Sequence, residues 1–364
     1  MKHDLNIIPL SEWGLSAPER PIVIAGPCSA ESEEQMLATA RGLMGTHVSM
    51  FRAGIWKPRT RPGSFEGVGS VGLAWLKTVK QETGFQTATE VANAGHVAEA
   101  LEAEVDLLWV GARTTANPFA VQEIADALKG VDIPVLVKNP VNPDVDLWLG
   151  ALERLNASGL KKLGAIHRGF SGVRKTIYRN EPLWQLPIEL RQRAGNVPMF
   201  CDPSHISGKR DLVQDVCHRA MNLDYHGLMV ETHVSPETAL SDAAQQVTPA
   251  RLTEILSHIV AKSVTSDDQV YRGKLDALRD DIDQFDQDLL DLLARRMEAA
   301  LEIGRIKKQN NVTVYQAGRW DVVRNRMQEH AREHGLGEAF TDGLLKLIHQ
   351  ESINKQQELI LDDE

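Results

Sequence analysis

Only three of the 364 residues are cysteine, an odd number at wide spacing, so the sequence carries no disulfide framework. No apolar run is long enough to span a bilayer, and the N-terminus has no apolar stretch behind a charged start, so a cytoplasmic protein is expected. Positive charge is in deficit: 40 Lys and Arg stand against 50 Asp and Glu, a net charge of −10. General binding to nucleic acid or to a membrane surface needs a basic face, and neither partner is expected.

Against that acidic background, residues 51–60 read FRAGIWKPRT. Arg52, Lys57 and Arg59 fall within eight residues, directly behind the apolar run 48–51. Taken alone, such a triplet is a solvated basic turn. In an acidic chain it also fits a loop at a strand end that focuses positive potential on a small anion.

Short apolar, β-branched runs recur at 22–25, 48–53, 85–89, 105–110, 134–137, 163–167, 197–201 and 227–230. Segments with helical spacing lie between them, among them 33–44, 94–104, 118–129 and 209–223. Eight strands alternating with helices over about 250 residues predict a (β/α)8 barrel, with a doubly wound sheet as the competitor. Residues 5–10 are expected to add a strand under the barrel floor.

A barrel places its chemistry at the C-terminal ends of the strands. Every expected strand end here is polar or charged, and two sets emerge. Arg52, Lys57, Arg59, Arg113, Lys138 and Arg168 are six cations converging on one mouth, which needs more than one anionic group to offset their mutual repulsion. Cys28, His205, Glu231 and Asp242 come from strands one, seven and eight, neighbours in a closed barrel, with Asp242 expected at a helix start. Thiolate, imidazole and two carboxylates suit Mn, Fe, Co, Zn or Cu better than Mg. Singly, each has a plainer reading as core cysteine, helix cap or surface charge; their joint placement favours a metal site. Cys201 and Cys217 read as core packing, and His226 and His233 as further contributors. The glycines of GVGSVG at 67–72 match a dinucleotide fingerprint, but they follow an irregular loop well past the strand, so nicotinamide or flavin binding is not expected.

The composition changes after residue 262. A Ser/Asp-rich linker (263–272) separates a barrel domain (1–262) from a helical one (273–364). Leu275, Leu278, Ile282, Phe285, Leu289 and Leu292 step by three and four along a pattern running from about 268 to 309 without proline. That is about 60 Å of helix, longer than a hundred-residue domain needs, so pairing with a second copy is expected. Arg296 takes the next inward position and Lys307 shares its face, whereas Arg279 lies about 100° away and would serve another site. A coiled-coil arm with snorkelling cations is the plainer alternative. Two shorter helices are expected near 319–333 and 340–361.

The motifs GPCS (26–29), KPRT (57–60), GARTT (111–115), KNP (138–140), HRGF (167–170), DPSH (202–205) and ETH (231–233) run through nearly the whole first domain. In them the chain resembles the type I 3-deoxy-D-arabino-heptulosonate 7-phosphate synthases, in the subgroup related to 3-deoxy-octulosonate 8-phosphate synthase. The resemblance implies Cys28, His205, Glu231 and Asp242 as ligands of a divalent metal. It assigns Arg52, Lys57, Arg113, Lys138 and Arg168 to phosphoenolpyruvate, and Arg59 and Thr60 to the phosphate of erythrose 4-phosphate.

LRDDID (278–283), ARRM (294–297), GRIKK (304–308) and Gln356 resemble the all-helical AroQ-type chorismate mutases, dimers whose long first helix crosses to the partner. The residues this implies for chorismate and prephenate are Arg279, reaching the site of a second copy, with Arg296, Lys307, Arg319 and Gln356. Trp320 and Gln316 stand where that pattern has acidic residues, which bears on mutase efficiency. The expectation is a bifunctional enzyme of aromatic amino acid biosynthesis, with feedback on the synthase through the mutase domain. The alternatives are a synthase with a dimerising ligand-sensing module, and a metal-dependent sugar-phosphate aldolase on a similar barrel.

Overall fold

The computed structural model describes residues 4–15, 21–57, 63, 65–172, 176–259 and 265–361. The chain forms two compact units, Met1–Val264 and Thr265–Glu364. In the first, eight parallel strands close into a barrel in sequential order. They are β1 (Ile22–Gly26), β2 (Met50–Arg52), β3 (Gln86–Val91), β4 (Leu107–Val110), β5 (Val135–Lys138), β6 (Leu163–His167), β7 (Met199–Cys201) and β8 (Gly227–Glu231). Pairing of β1 with β8 from Ile22↔Gly227 to Gly26↔Glu231 seals the ring.

Helices follow the strands: α1 (Glu33–Leu43), α2 (Val71–Thr83), α3 (Ala94–Glu102), α4 (Ala112–Thr115), α5 (Pro118–Ala127), α6 (Val145–Ala157), α7 (Gln185–Arg193), α8 (Pro203–Ser207), α9 (Val213–Asn222) and α10 (Pro249–Ser257). Side-chain caps set several of their starts. Ser32, Asn93, Asn117, Asp144, Asp202 and Thr248 each accept a backbone N–H of the first turn, satisfying donors that a helix otherwise leaves free.

Two cores follow from the two-residue period of the strands. Ile24, Met50, Ala88, Trp109, Leu136, Ile166, Phe200 and Met229 fill the barrel interior. Their neighbours in sequence, such as Ala25, Phe51, Leu108, Val137, Ala165, Cys201 and Val230, face the helical layer. Cys217 joins Cys201 in that outer core, as expected.

The segment before β1 differs from expectation. Its described residues, 4–15, form no strand; they have irregular backbone with one 3-10 turn (Leu10–Glu12). Trp13 is buried within the interior core, with Ile8, Leu10 and Leu15 packed against it. The Trp13 indole donates to the Ile8 carbonyl at 3.1 Å, and the Ile8 N–H reaches the Lys161 carbonyl at 3.0 Å. These residues plug the floor with side chains, and a closed barrel has no free edge for an added strand.

The second unit is α11 (Gln269–Gln309), α12 (Ala317–Glu333) and α13 (Glu338–Leu361). Asp268 caps α11 by accepting from Val270 and Tyr271. Its seam residues Leu278, Ile282, Phe285, Leu289 and Leu292 stay exposed. Packing is confined to the C-terminal half of the helix, where Ala300 and Gly304 are buried. At Gly304 an added Cβ would lie 2.9 Å from Gln356 Cγ, so the glycine is what lets α13 approach. Among the described residues no helix is long and apolar enough to cross a membrane.

Candidate active sites

Continuing each inward-facing strand row by two residues leads from core to chemistry. Ile24 is followed by Gly26, Met50 by Arg52, Ala88 by Glu90, Leu136 by Lys138, Ile166 by Arg168, Phe200 by Asp202 and Met229 by Glu231. The C-terminal rim is therefore a ring of charged side chains over an apolar interior. Gly26 has φ +152°, and a Cβ there would lie 2.1 Å from the Arg52 carbonyl oxygen, so β1 and β2 close together only around glycine.

A small cavity of about 80 Å³ opens on this rim, lined by Lys57, Glu90, Ala112, Arg113, Lys138, Arg168, Arg179, His205 and Asp242. Four of the six expected cations line it. Arg52 lies beneath, fully buried, its guanidinium 4.7 Å above the Trp109 ring, 3.0 Å from the Cys28 carbonyl and 3.4 Å from Glu231 Oε1. The expectation of six cations lining one mouth is corrected to that extent. Arg52 ends the same inward row as Lys138 and Arg168 but lines no part of this cavity, because its guanidinium is turned onto the Cys28 carbonyl, Glu231 and the Trp109 ring. Arg59 and Thr60 lie outside the described residues.

Cys28, Glu231 and Asp242 bring ligand-type atoms within 4.8 Å of one another. Cys28 Sγ is 3.3 Å from Asp242 Oδ2, and His205 Nε2 is 3.8 Å from Glu231 Oε1. Asp242 is not at a helix start as expected. It sits in the loop after β8 with φ +47°, a left-handed conformation that turns its carboxylate back over the rim. Burial pushes the Cys28 thiol up to about 12, with Glu231 adding to the shift, so the isolated thiol stays protonated. Burial alone would raise Glu231, but His205 and Arg52 hold its carboxyl below the ordinary range. A soft sulfur grouped with two carboxylates, and an imidazole beside one of them, fit a borderline divalent ion, whose charge would favour the thiolate.

Supporting groups surround this cluster. Asp202 is wholly buried, 2.8 Å from Lys138 Nζ and 2.8 Å from His205 Nδ1. Burial alone would raise its carboxyl, yet His205 and Lys138 hold it well below the carboxylate range. Gln245 donates to Glu231 Oε2 at 2.6 Å, and Arg179 to Asp242 Oδ1 at 2.9 Å. Burial lowers Arg168 to about 10. His226 and His233 do not enter the cavity. His226 Nδ1 accepts the Met199 N–H at 3.1 Å, and His233 Nδ1 the Ser235 N–H at 2.9 Å. The GVGSVG glycines end no strand: Gly67 bridges to Trp56, and α2 starts at Val71.

The sequence reading missed Glu90, Asp202 and Arg179 as site residues. The first two were accessible through the inward parity of β3 and β7. Arg179 lies in an irregular segment after β6, where no periodicity marks direction.

The helical unit holds a larger cavity of about 460 Å³. Arg296, Ala300, Ile303 and Lys307 reach it from one face of α11, Arg319, Trp320 and Val323 from α12, and His349, Ser352, Ile353 and Gln356 from α13. Four of the five expected residues thus meet in one place, and Gln316 and Trp320 line it too. Arg296 donates to the Ser352 hydroxyl, and Lys307 Nζ to the Val314 carbonyl at 2.6 Å. Arg279 is exposed and pairs with Asp276 at 3.4 Å, away from this cavity. His349 and Ser352 were not read from the sequence, because α13 is nearly uniform in polarity around its axis.

Family comparison covers both units. Residues 16–266 match the DAHP synthetase I family, and residues 278–357 match chorismate mutase type II. The phospho-2-dehydro-3-deoxyheptonate aldolase of Thermotoga maritima is 32% identical over 225 residues, 62% of this chain and 64% of that protein. The chain thus spans just under two thirds of that relative's length. A crystal structure of that Thermotoga maritima enzyme superimposes with a TM-score of 0.59 at 30% identity, covering 65% of this chain and 67% of that one. The 4-amino-4-deoxychorismate mutase of Streptomyces venezuelae is 35% identical over 77 residues, 21% of this chain and 75% of that protein. The chain belongs to the DAHP synthetase I family and carries a chorismate mutase type II domain at its C-terminal end.

Proposed function

We propose that the barrel condenses phosphoenolpyruvate with D-erythrose 4-phosphate and water to give 3-deoxy-D-arabino-heptulosonate 7-phosphate and phosphate, and that the helical unit rearranges chorismate to prephenate. The observation that carries the reading is the rim itself, with Lys57, Arg113, Lys138 and Arg168 beside the grouped Cys28, Glu231 and Asp242, and His205 Nε2 3.8 Å from Glu231. Two phosphates and a carboxylate account for that much positive charge in so small a space.

In this reading Lys57, Arg113, Lys138 and Arg168 bind phosphoenolpyruvate, and Arg52 orders Cys28 and Glu231 from below. Arg59 and Thr60 take the sugar phosphate. Cys28, His205, Glu231 and Asp242 would hold a divalent ion of the Mn, Fe, Co or Zn type, which would supply Lewis acidity toward the aldehyde. The cations fix the enol carbon against that aldehyde, turning an encounter into a local event.

The mutase step is a rearrangement and needs no general acid or base. Arg296 and Arg319 bind the carboxylates, and Lys307 and Gln356 donate to the ether oxygen where negative charge develops. The exposed seam of α11 supports a homodimer in which Arg279 serves the cavity of a second copy. A second reading, a ligand-sensing helical unit with little turnover, is favoured by the aromatic Trp320 in the cavity wall.

The test is phosphoenolpyruvate consumption in the presence of erythrose 4-phosphate, with and without EDTA, followed by chorismate disappearance. No consumption by the metal-replete protein sinks the synthase reading. Prephenate binding without chorismate turnover selects the sensor. Feedback control is part of the proposal, and an unchanged synthase rate on adding prephenate removes it.

A further inference from the structure

The wall of the helical cavity contains a side chain that neither the family pattern nor the proposed chemistry uses. His349 of α13 lies flat on Trp320 of α12, ring centroids 3.9 Å apart and planes 12° apart. Both rings line the cavity. Tyr315 is also near the imidazole, its ring centroid 6.2 Å away and tilted by 54°. His349 Nε2 is buried without a hydrogen-bond partner, and so is Gln356 Oε1 in the same wall. A stacked ring has lost its rotational freedom already, so holding a ligand with it costs little further ordering.

Among the described residues, the charged groups lining this cavity are all cations: Arg296 and Lys307 on α11, and Arg319 on α12. On α13 the cavity-lining Ser352 and Gln356 are neutral, and Lys346, one turn before His349, is paired with Asp342 at 2.6 Å. Burial, and then the nearby Arg296, hold the imidazole below its ordinary value, so it is neutral in the empty cavity near pH 7. A ligand with two carboxylates reverses that field.

We propose that His349, clamped against Trp320, is a ligand-contacting residue of this cavity that couples binding of a dicarboxylate to proton uptake. The inference rests on the reading of the cavity as a chorismate or prephenate site. The empty cavity keeps the ring neutral through its burial and the nearby Arg296. A bound dianion offsets the cavity's cations and draws a proton onto the ring, which then donates to the ligand. By linkage, affinity rises as pH falls toward the pKa of the free ring.

Calorimetric titration of the full chain with prephenate at pH 6.5, in phosphate and in imidazole buffer, counts the protons taken up. The wild type is expected to take up a fraction of a proton. His349→Phe, which keeps an aromatic ring against Trp320, is expected to take up none and to bind about tenfold more weakly. His349→Asn is expected to regain part of the affinity without the proton. Equal proton uptake in wild type and His349→Phe overturns the inference, as does unchanged affinity in that variant. Absence of prephenate and chorismate binding by the wild type fails the reading of the cavity itself, a different result from binding that is indifferent to residue 349. Synthase activity of the variants, measured in parallel, reports that the chain is folded.

Discussion

Lys57 Nζ lies 3.1 Å from Cys28 Sγ and 3.0 Å from the Cys28 carbonyl oxygen, so the first cation of the basic loop touches the thiol at the end of β1. Burial alone would lower its ammonium, but Cys28, Glu231 and Glu90 keep it above its ordinary range. It is positioned to serve the sulfur and an incoming anion together. Lys57→Met should lower synthase kcat/KM by roughly 100-fold or more. Chorismate turnover in the same preparation should be unchanged, and a parallel loss of both activities would contradict this local role.

Metal removal should separate the two activities. Incubation with EDTA, or Cys28→Ala, should abolish phosphoenolpyruvate consumption while chorismate binding and turnover persist. The reason is that the described residues lining the helical cavity include neither a thiol nor a carboxylate. The check is to run both assays on one chelated sample, then restore the synthase with Mn or Zn salts. Synthase activity that survives exhaustive chelation contradicts the metal assignment.

Asp202→Asn probes the support beneath the rim. Asp202 is the shared counter-charge of Lys138 and His205, and all of it is buried. Removing it leaves the Lys138 ammonium buried without its carboxylate, at a cost of about 3 kcal/mol. The thermal midpoint of the barrel should fall by about 6 °C or more. An unchanged midpoint would show that the pair is solvated.

His167 supplies a pH signature of stability. Its Nε2 donates to the Pro182 carbonyl at 2.6 Å, and its Nδ1 accepts from the Tyr225 hydroxyl at 3.0 Å. Burial, with Arg168 beside it, lowers this imidazole from 6.5 to about 3. The unfolded chain therefore binds a proton that the folded one refuses. Stability from this group is whole above pH 6.5 and is lost as pH falls from there toward 3, at up to ~1.4 kcal/mol per pH unit. Urea midpoints between pH 4 and 7.5 should fall less steeply in His167→Gln than in the wild type. Identical slopes would rule the group out.

The exposed seam of α11 should be the assembly surface. Leu289→Asp places a charge in the row formed by Leu278, Ile282, Phe285 and Leu292. Sedimentation should show the wild type as a dimer or larger and the variant shifted to monomer. A variant that sediments like the wild type would place the interface elsewhere.

The eight strands were legible because each is a short apolar run between turn signals, and their borders match the structure within a few residues. The cations Lys57, Arg113, Lys138 and Arg168 were legible because the barrel rule says where strand ends go. Arg179 was not, since its segment has no period from which to read a direction. His349 was not, since α13 carries no marked apolar face, and stacking on Trp320 depends on where α12 comes to rest.

The sequence by itself determined the alternation of elements, the barrel class, the long helix and the residue types at each rim position. These follow from local rules of period and punctuation, which need no knowledge of distant neighbours. The tertiary structure alone decided that Arg52 lies under the rim and that Asp242 turns back over it from a loop. It also decided that Asp202 serves two partners, and that His349 sits among cations. Each depends on the distance between residues far apart in the chain, and only the closure of the barrel and the packing of three helices set that distance.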